Sequence, residues 1–164
     1  MLSGGLAARA QERATQAFTV RIPSRLSVTP PSPAVTMTHD GTDQDQAFAT
    51  QSWSVSANAR SGATVTFSTN QAFTNTTHAE AKRDAQIDLA VASSESTAGW
   101  TVAVGSDRTY HQNGAGEEQA TVRAVSNRPG QATFDIMVTF LHDPDQPLQQ
   151  GEYALTVVGT LTAN

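Results

Sequence analysis

The sequence contains no cysteine. Disulfide frameworks, thiolate zinc sites, iron–sulfur clusters and cysteine nucleophiles are therefore excluded. No apolar run approaches the roughly 20 residues that a membrane-spanning helix needs. Charge is also scarce. Charged residues make up 15% of the chain, against about 25% in ordinary soluble domains. Lys82 is the single lysine. Lys+Arg total 10 against 15 for Asp+Glu, a formal net charge of -5. Without clustered cations there is nothing to neutralise phosphates, which argues against nucleic acid or an anionic membrane as partner. The phosphate-cradling Gly-Lys-Thr/Ser element and the Gly-x-Ser-x-Gly nucleophile elbow are missing too.

What fills the chain instead is Thr, Ser, Ala, Gln and Val. Thr and Val suit pleated, half-buried surfaces, and a hydroxyl-rich face stays wetted with few charges. The length of 164 residues suits one domain, large enough to fold without staples. We read residues 1–17 as an N-terminal leader and 18–164 as one β domain. Within the leader, Ala8-Arg9-Ala10 has the small-x-small form of a signal-peptidase site. A mature chain would then begin near Gln11. The basic region and full apolar stretch of a signal peptide are missing. A start lying inside a longer signal would account for that, and an Ala-rich helical tail is the other reading.

From Phe18 onward apolar residues alternate with polar ones. Phe18, Val20 and Ile22 share one face before Pro23, and Leu26 and Val28 follow. Pro30 to Pro33 reads as a stiff connector, and Val35 and Met37 as a further short strand. Trp53 and Val55 alternate with serines. After a turn at Asn58 to Gly62 come Ala63, Val65 and Phe67, so residues 53–67 predict a hairpin. Strands are also expected around Ile87, Trp100, Val122, Phe134 and Tyr153. His78 to Arg83 reads as a loop with at most one helical turn. Short alternating runs divided by polar turns predict an all-β, antiparallel β-sandwich, immunoglobulin-like or jelly-roll-like, with a flexible N-terminal segment. Trp53, Trp100, Phe67, Phe134, Phe140 and Tyr153 are its expected core. An exposed tryptophan platform for sugar rings is the alternative for the two tryptophans.

Few residues suggest chemistry. The stretch His39-Asp40-Gly41-Thr42-Asp43-Gln44-Asp45-Gln46 gathers three carboxylates. Asp40, Asp43 and Asp45 are candidate calcium ligands, although the spacing is not that of an EF-hand. A metal-free Asx turn is the plainer reading. His142-Asp143-Pro144-Asp145 echoes that stretch, and two such loops meeting at one pole could hold a divalent ion. Glu117 and Glu118 are adjacent and would point to opposite faces of a strand, unlike a glycosidase pair. Asn75-Thr76-Thr77 is a formal glycosylation sequon.

Two elements carry a resemblance. Gly99-Trp100-Thr101-Val102 resembles the Gly-Trp-x-Leu element of WxL-type bacterial cell-surface domains, with Trp53-Ser54-Val55 as a second Trp-x-Val. The closing run from Gly151-Glu152-Tyr153 to Thr162 is similar to the last strand of WxL, spore-coat-U and pilin-like subunits. Val replaces Leu in both Trp motifs, the distal Trp-x-Leu is missing, and no cysteines match coat-U or fimbrial disulfides. The resemblance implies an extracellular structural or adhesive protein without catalytic residues or cofactor. Separately, low charge and a single lysine leave few edge gatekeepers, so partners are expected to be further copies or other surface proteins, joined by strand addition or sheet-face packing. Gln16 to Ile22 is then the candidate donor and Glu152 to Thr162 the candidate receiving edge. The alternative function is a carbohydrate- or calcium-binding module.

Overall fold

The computed structural model describes residues 13–112 and 117–164. The signal-peptidase pattern at Ala8-Arg9-Ala10 and the start near Gln11 lie outside those residues. Thirteen strands are present and no helix among the described residues. In chain order they are β1 (Leu26–Thr29), β2 (Gln46–Ala47), β3 (Gln51–Ala57), β4 (Ala63–Thr69), β5 (Phe73–Asn75), β6 (Lys82–Arg83) and β7 (Ala85–Ser94). There follow β8 (Thr101–Val104), β9 (Ser106–Arg108), β10 (Thr121–Val125), β11 (Gly130–Phe140), β12 (Tyr153–Ala154) and β13 (Val157–Ala163). One sheet runs β1-β3-β11-β7-β9, with β2 also paired to β11. A second runs β13-β4-β10-β8, and a small third runs β12-β5-β6. Every pairing is antiparallel. The chain is an all-β protein, and its two larger sheets pack on a shared core as a β-sandwich.

The alternation read from the sequence is the cause of that core. In β4, Ala63, Val65 and Phe67 are fully buried while Thr64, Thr66 and Ser68 face outward. Ala120, Val122 and Ala124 do the same along β10, as do Phe134 and Ile136 in β11. Side chains of one strand must point to opposite faces, so each strand gives one set to the dry layer. An aromatic series crosses this layer. Trp53 meets Phe67 edge-on at 5.3 Å, Phe67 meets Phe134 at 6.2 Å, and Phe134 meets Trp100 at 5.3 Å. Trp100 is buried and Trp53 half-buried within the core cluster. Neither forms an exposed platform. A satellite cluster of Phe73, Ala85 and Phe140, with Phe48, Tyr153 and Leu155 against it, lies under the small sheet.

Four expectations need correction. Lys82 and Arg83, read as part of a loop, form β6 against β5. Residues 53–67 are not a hairpin: β3 belongs to one sheet and β4 to the other. The loop through Gly62 carries the chain across the core, because the apolar faces of β3 and β4 meet there face to face rather than side by side. Residues 18–22 form no strand. Phe18, Val20 and Ile22 are 86%, 87% and 80% exposed. Val35 and Met37 also lie outside any strand and are exposed. Alternation is necessary for a half-buried strand but supplies no partner.

The two sides of the sandwich differ. On one, the chain passes from β8 in the second sheet to β9 in the first through Gly105, whose carbonyl accepts from Leu89 N at 2.8 Å. A continuous segment therefore closes that side. On the other side the edges are β1 and β13, which approach each other without a bridging strand.

Candidate functional site

The aspartate-rich loop is held by its own hydrogen bonds. Thr42 N and Thr42 Oγ1 donate to Asp40 Oδ1 at 2.9 and 2.6 Å, an Asx turn. The Thr42 hydroxyl is the main cause of an Asp40 pKa lowered to about 2; the Thr42 N–H and the Gln46 side chain add to it. The Asp45 carboxylate accepts from His142 N at 2.7 Å, and His39 packs edge-on against Phe140 at 5.6 Å. The two His-Asp loops therefore meet at one pole, through a backbone donor and a ring contact. Among the described residues no three His, Asp or Glu side chains converge as a metal-binding group.

The Asp40 geometry gives a direct expectation. A carboxyl whose folded pKa is depressed adds stability above its unfolded pKa and loses it as pH falls through the folded value. The loop should stay ordered at pH 4 and loosen only as pH approaches 2. Carbon NMR of the Asp40 carboxyl should give a midpoint near 2, and a midpoint near 3.8 would show that the Asx turn is not formed in solution.

Beside this pole lies a cavity of about 260 Å³ lined by polar groups, among them Asp84, Arg108, Tyr110, His142 and Asp143. The Arg108 guanidinium sits over the Tyr110 ring at 4.6 Å. Behind it, Asp84 Oδ1 accepts from Thr109 Oγ1 at 2.7 Å and from His111 N at 2.9 Å. His111 Nδ1 lies 3.0 Å from the same oxygen. That contact is misaligned, and both ring nitrogens are buried without a hydrogen-bond partner among the described residues. The Thr109 hydroxyl is fully buried and also accepts from Ala85 N at 2.9 Å. It is thus committed to the backbone rather than presented as a nucleophile.

Other sequence candidates have structural roles. Asn75 of the sequon is 1% exposed. Its Oδ1 accepts from Thr77 N, Thr77 Oγ1 and His78 N, and a Cβ on Gly151 would overlap its Nδ2. The folded chain has no room there for a glycan. Glu118 pairs with Lys82 Nζ at 2.6 Å. Arg83, which the sequence did not single out, is buried and donates to the carbonyls of Lys82, Gln146 and Pro147. No pattern in the sequence pointed to it; its position follows from the pairing of β6 with β5.

The side bounded by β1 and β13 has its own geometry. Asn70 N donates to Thr156 O and Asn164 N to Gly62 O, and the β13–β4 register runs between those two pairs. By the two-residue alternation of an antiparallel ladder, the even residues of β13 bond to β4. Val157, Gly159, Leu161 and Ala163 therefore turn their N–H and C=O groups to the free edge. The strand Val157-Val158-Gly159-Thr160-Leu161-Thr162-Ala163 contains no charge and no proline. Edge strands ordinarily carry such protection against pairing with other chains. The facing edge is different: β1 has four residues, and Pro30 and Pro31 follow it. Core burial is also incomplete here. Val28, Trp53, Val157 and Leu161, on this side, are partly buried against the core, and β13 packs down on them: a Cβ on Gly159 would meet Trp53 Cζ3 and Val28 Cγ2 at 3.0 and 3.1 Å.

Residues 18–22, which lead into β1, are unpaired. Phe18, Val20 and Ile22 remain in water, each forgoing roughly 1.5–3 kcal/mol of burial. Asn58 holds the chain that follows. Asn58 N donates to Arg25 O at 3.1 Å, Arg25 N to Asn58 Oδ1 at 2.6 Å, and Asn58 Nδ2 to Pro23 O at 2.9 Å.

In class the molecule is an antiparallel β-sandwich with one side closed by a sheet-crossing segment and, on the other, edge strands β1 and β13 that pack together without pairing. No family model, curated protein or solved structure matches the chain.

Proposed function

We propose that this protein is a non-catalytic, exported structural or adhesive subunit of a bacterial cell surface, matrix or fimbria-like assembly. Neighbouring subunits join by strand addition at β13. The observation that carries this reading is the unprotected seven-residue edge of β13, beside a core whose burial is incomplete. In strand addition, main-chain hydrogen bonds give affinity and alternate side chains give register. Export is supported by the Ala8-Arg9-Ala10 pattern and by a low-charge, hydroxyl-rich composition with one lysine. A second reading, a carbohydrate- or calcium-binding module, is favoured by the polar cavity around Tyr110, Arg108 and His142. Binding on a glycan array or a calcium-dependent melting temperature would support it.

The edge is tested by adding the protection it lacks. Val158 and Thr160 point outward on β13, and their cross-strand partners Ser68 and Thr66 are uncharged. Val158→Lys with Thr160→Lys should therefore leave the fold intact and put two cations on the edge strand. In light scattering, the mean mass of the unaltered protein should rise with concentration, while the double variant stays at one copy. Association of the variant equal to that of the unaltered protein would remove β13 from the proposal.

A further inference from the structure

We infer that residues 13–25, with the end of the sandwich from which they leave, form a docking surface for an anionic lipid bilayer. This goes beyond the strand-addition function and does not involve β13. Averaged over the chain the charge is negative, which argues against an anionic membrane, but the cations and anions are segregated. No acidic residue occurs between Glu12 and Asp40, whereas Arg13, Arg21 and Arg25 fall in that interval. All three are exposed, and among the described residues none pairs with a carboxylate. Leu26 pairs with Ala57, and Ala57 with Gly130, so the segment leaves the sandwich beside the loops that carry Arg60 and Arg128. Both of those arginines are exposed as well. Glu95 is the acidic residue of the adjoining loop, and its carboxylate accepts from Gln131 N. At the far end of β11, Phe140 pairs with Gln46, and Asp40, Asp43, Asp45, Asp143 and Asp145 lie in the loops that meet there. The eleven residues of β11 separate the two ends by roughly 35 Å, several times the Debye length of about 8 Å in physiological salt.

Apolar side chains complete the surface. Phe18, Val20 and Ile22 stand in water among these arginines. Laid out extended, the segment puts the three on one side and Thr19 and Arg21 on the other. An anionic bilayer satisfies both sets. The apolar side chains enter the acyl boundary, and the guanidinium groups stay level with the phosphates. The backbone needs no partner strand, because it remains in the hydrated headgroup layer. A soluble polyanion would neutralise the arginines and leave three apolar side chains in water. An apolar groove on another protein would do the opposite. Neither anchor suffices alone: a small apolar insertion adsorbs marginally and reversibly, and a basic signal beside it makes the attachment stable. The root of the segment is fixed, since Pro23 O, Arg25 N and Arg25 O are all bonded to Asn58. The sandwich is therefore held with Arg60 and Arg128 toward the lipid and its aspartate-rich loops away from it.

The test is co-sedimentation of the full chain with vesicles of phosphatidylcholine alone, and of phosphatidylcholine mixed in equal parts with phosphatidylglycerol. The unaltered protein should pellet with the mixed vesicles, stay in solution with the neutral ones, and be released as salt is raised. Arg13→Gln with Arg21→Gln should weaken binding roughly 30-fold, at about fivefold for each cation near an anionic surface. Phe18→Ser with Val20→Ser and Ile22→Ser should abolish it. The altered side chains are exposed, so both variants should keep the melting temperature of the unaltered protein. A lower one would show that the segment packs on its own domain and would overturn the inference. So would the absence of pelleting with mixed vesicles, equal pelleting with both kinds, or unchanged binding by either variant. Binding to soluble polyphosphate that survives the serine substitutions, without pelleting, would assign the arginines to a polyanion instead. Self-association in light scattering that the serine variant loses, again without pelleting, would assign the apolar side chains to a second copy.

Discussion

Phe134→Ala should lower the unfolding free energy by about 3–5 kcal/mol, the range for truncating a fully buried Phe. The ring is 0% exposed and sits at the centre of the aromatic series, between Phe67 and Trp100. Its strand is paired on both sides, to β3 and to β7, so the backbone cannot move in to fill the space. The cost is therefore the lost transfer term plus a cavity that stays open. Denaturant unfolding should show the midpoint falling with little change in slope. A loss below about 1.5 kcal/mol would mean that the sheets can collapse on one another.

Gly62→Ala should cost about 2–5 kcal/mol, combining left-handed strain of about 1–2 kcal/mol with overpacking of about 1–3 kcal/mol. Gly62 has φ of 83°, and a Cβ there would overlap the backbone carbonyl of Ser126. That carbonyl cannot swing aside. Ser126 N donates to Ala63 O, Ser126 Oγ accepts from Ala63 N, and Asn164 Nδ2 donates to Ser126 O itself. The chain supplies its own control. Gly41 has a similar φ of 79° with no atom near a prospective Cβ. Gly41→Ala should thus show the strain alone, and the difference between the two melting temperatures measures the steric part. Equal shifts would show that the Ser126 contact contributes nothing.

Along β4, β10 and β11 the face on which each residue lies was legible in the sequence, and the identity of its neighbours was not; Val102, in phase with buried Trp100, is exposed. Period two assigned Val65, Phe67, Val122, Phe134 and Ile136 to the interior because a strand has just two faces. The same rule could not separate a hairpin from a crossing at Asn58 to Gly62, since both need a turn between two alternating runs. It also could not tell that Phe18 to Ile22 stands unpaired, because alternation describes a strand whether or not a neighbour exists. The candidate site divides the same way. The uncharged, proline-free composition of β13 was readable from residues 157–163. Which of its backbone groups face outward required the pairing with β4. That the two His-Asp loops meet depends on a hydrogen bond from His142 to Asp45, residues 97 positions apart, a separation over which local pattern carries no information.

The crossing at Gly62 bears on how the chain reaches this state. With β3 and β4 in opposite sheets, the ladders that define the sandwich join distant stretches: β3 to β11, β7 to β11, and β4 to β13. Loop-closure entropy must be met before such contacts give any return, which places comparable topologies in the millisecond-to-second range. β4 therefore waits, with one margin uncovered, until the distant β13 arrives. During synthesis, that waiting strand is the position where a holding chaperone would have most to protect.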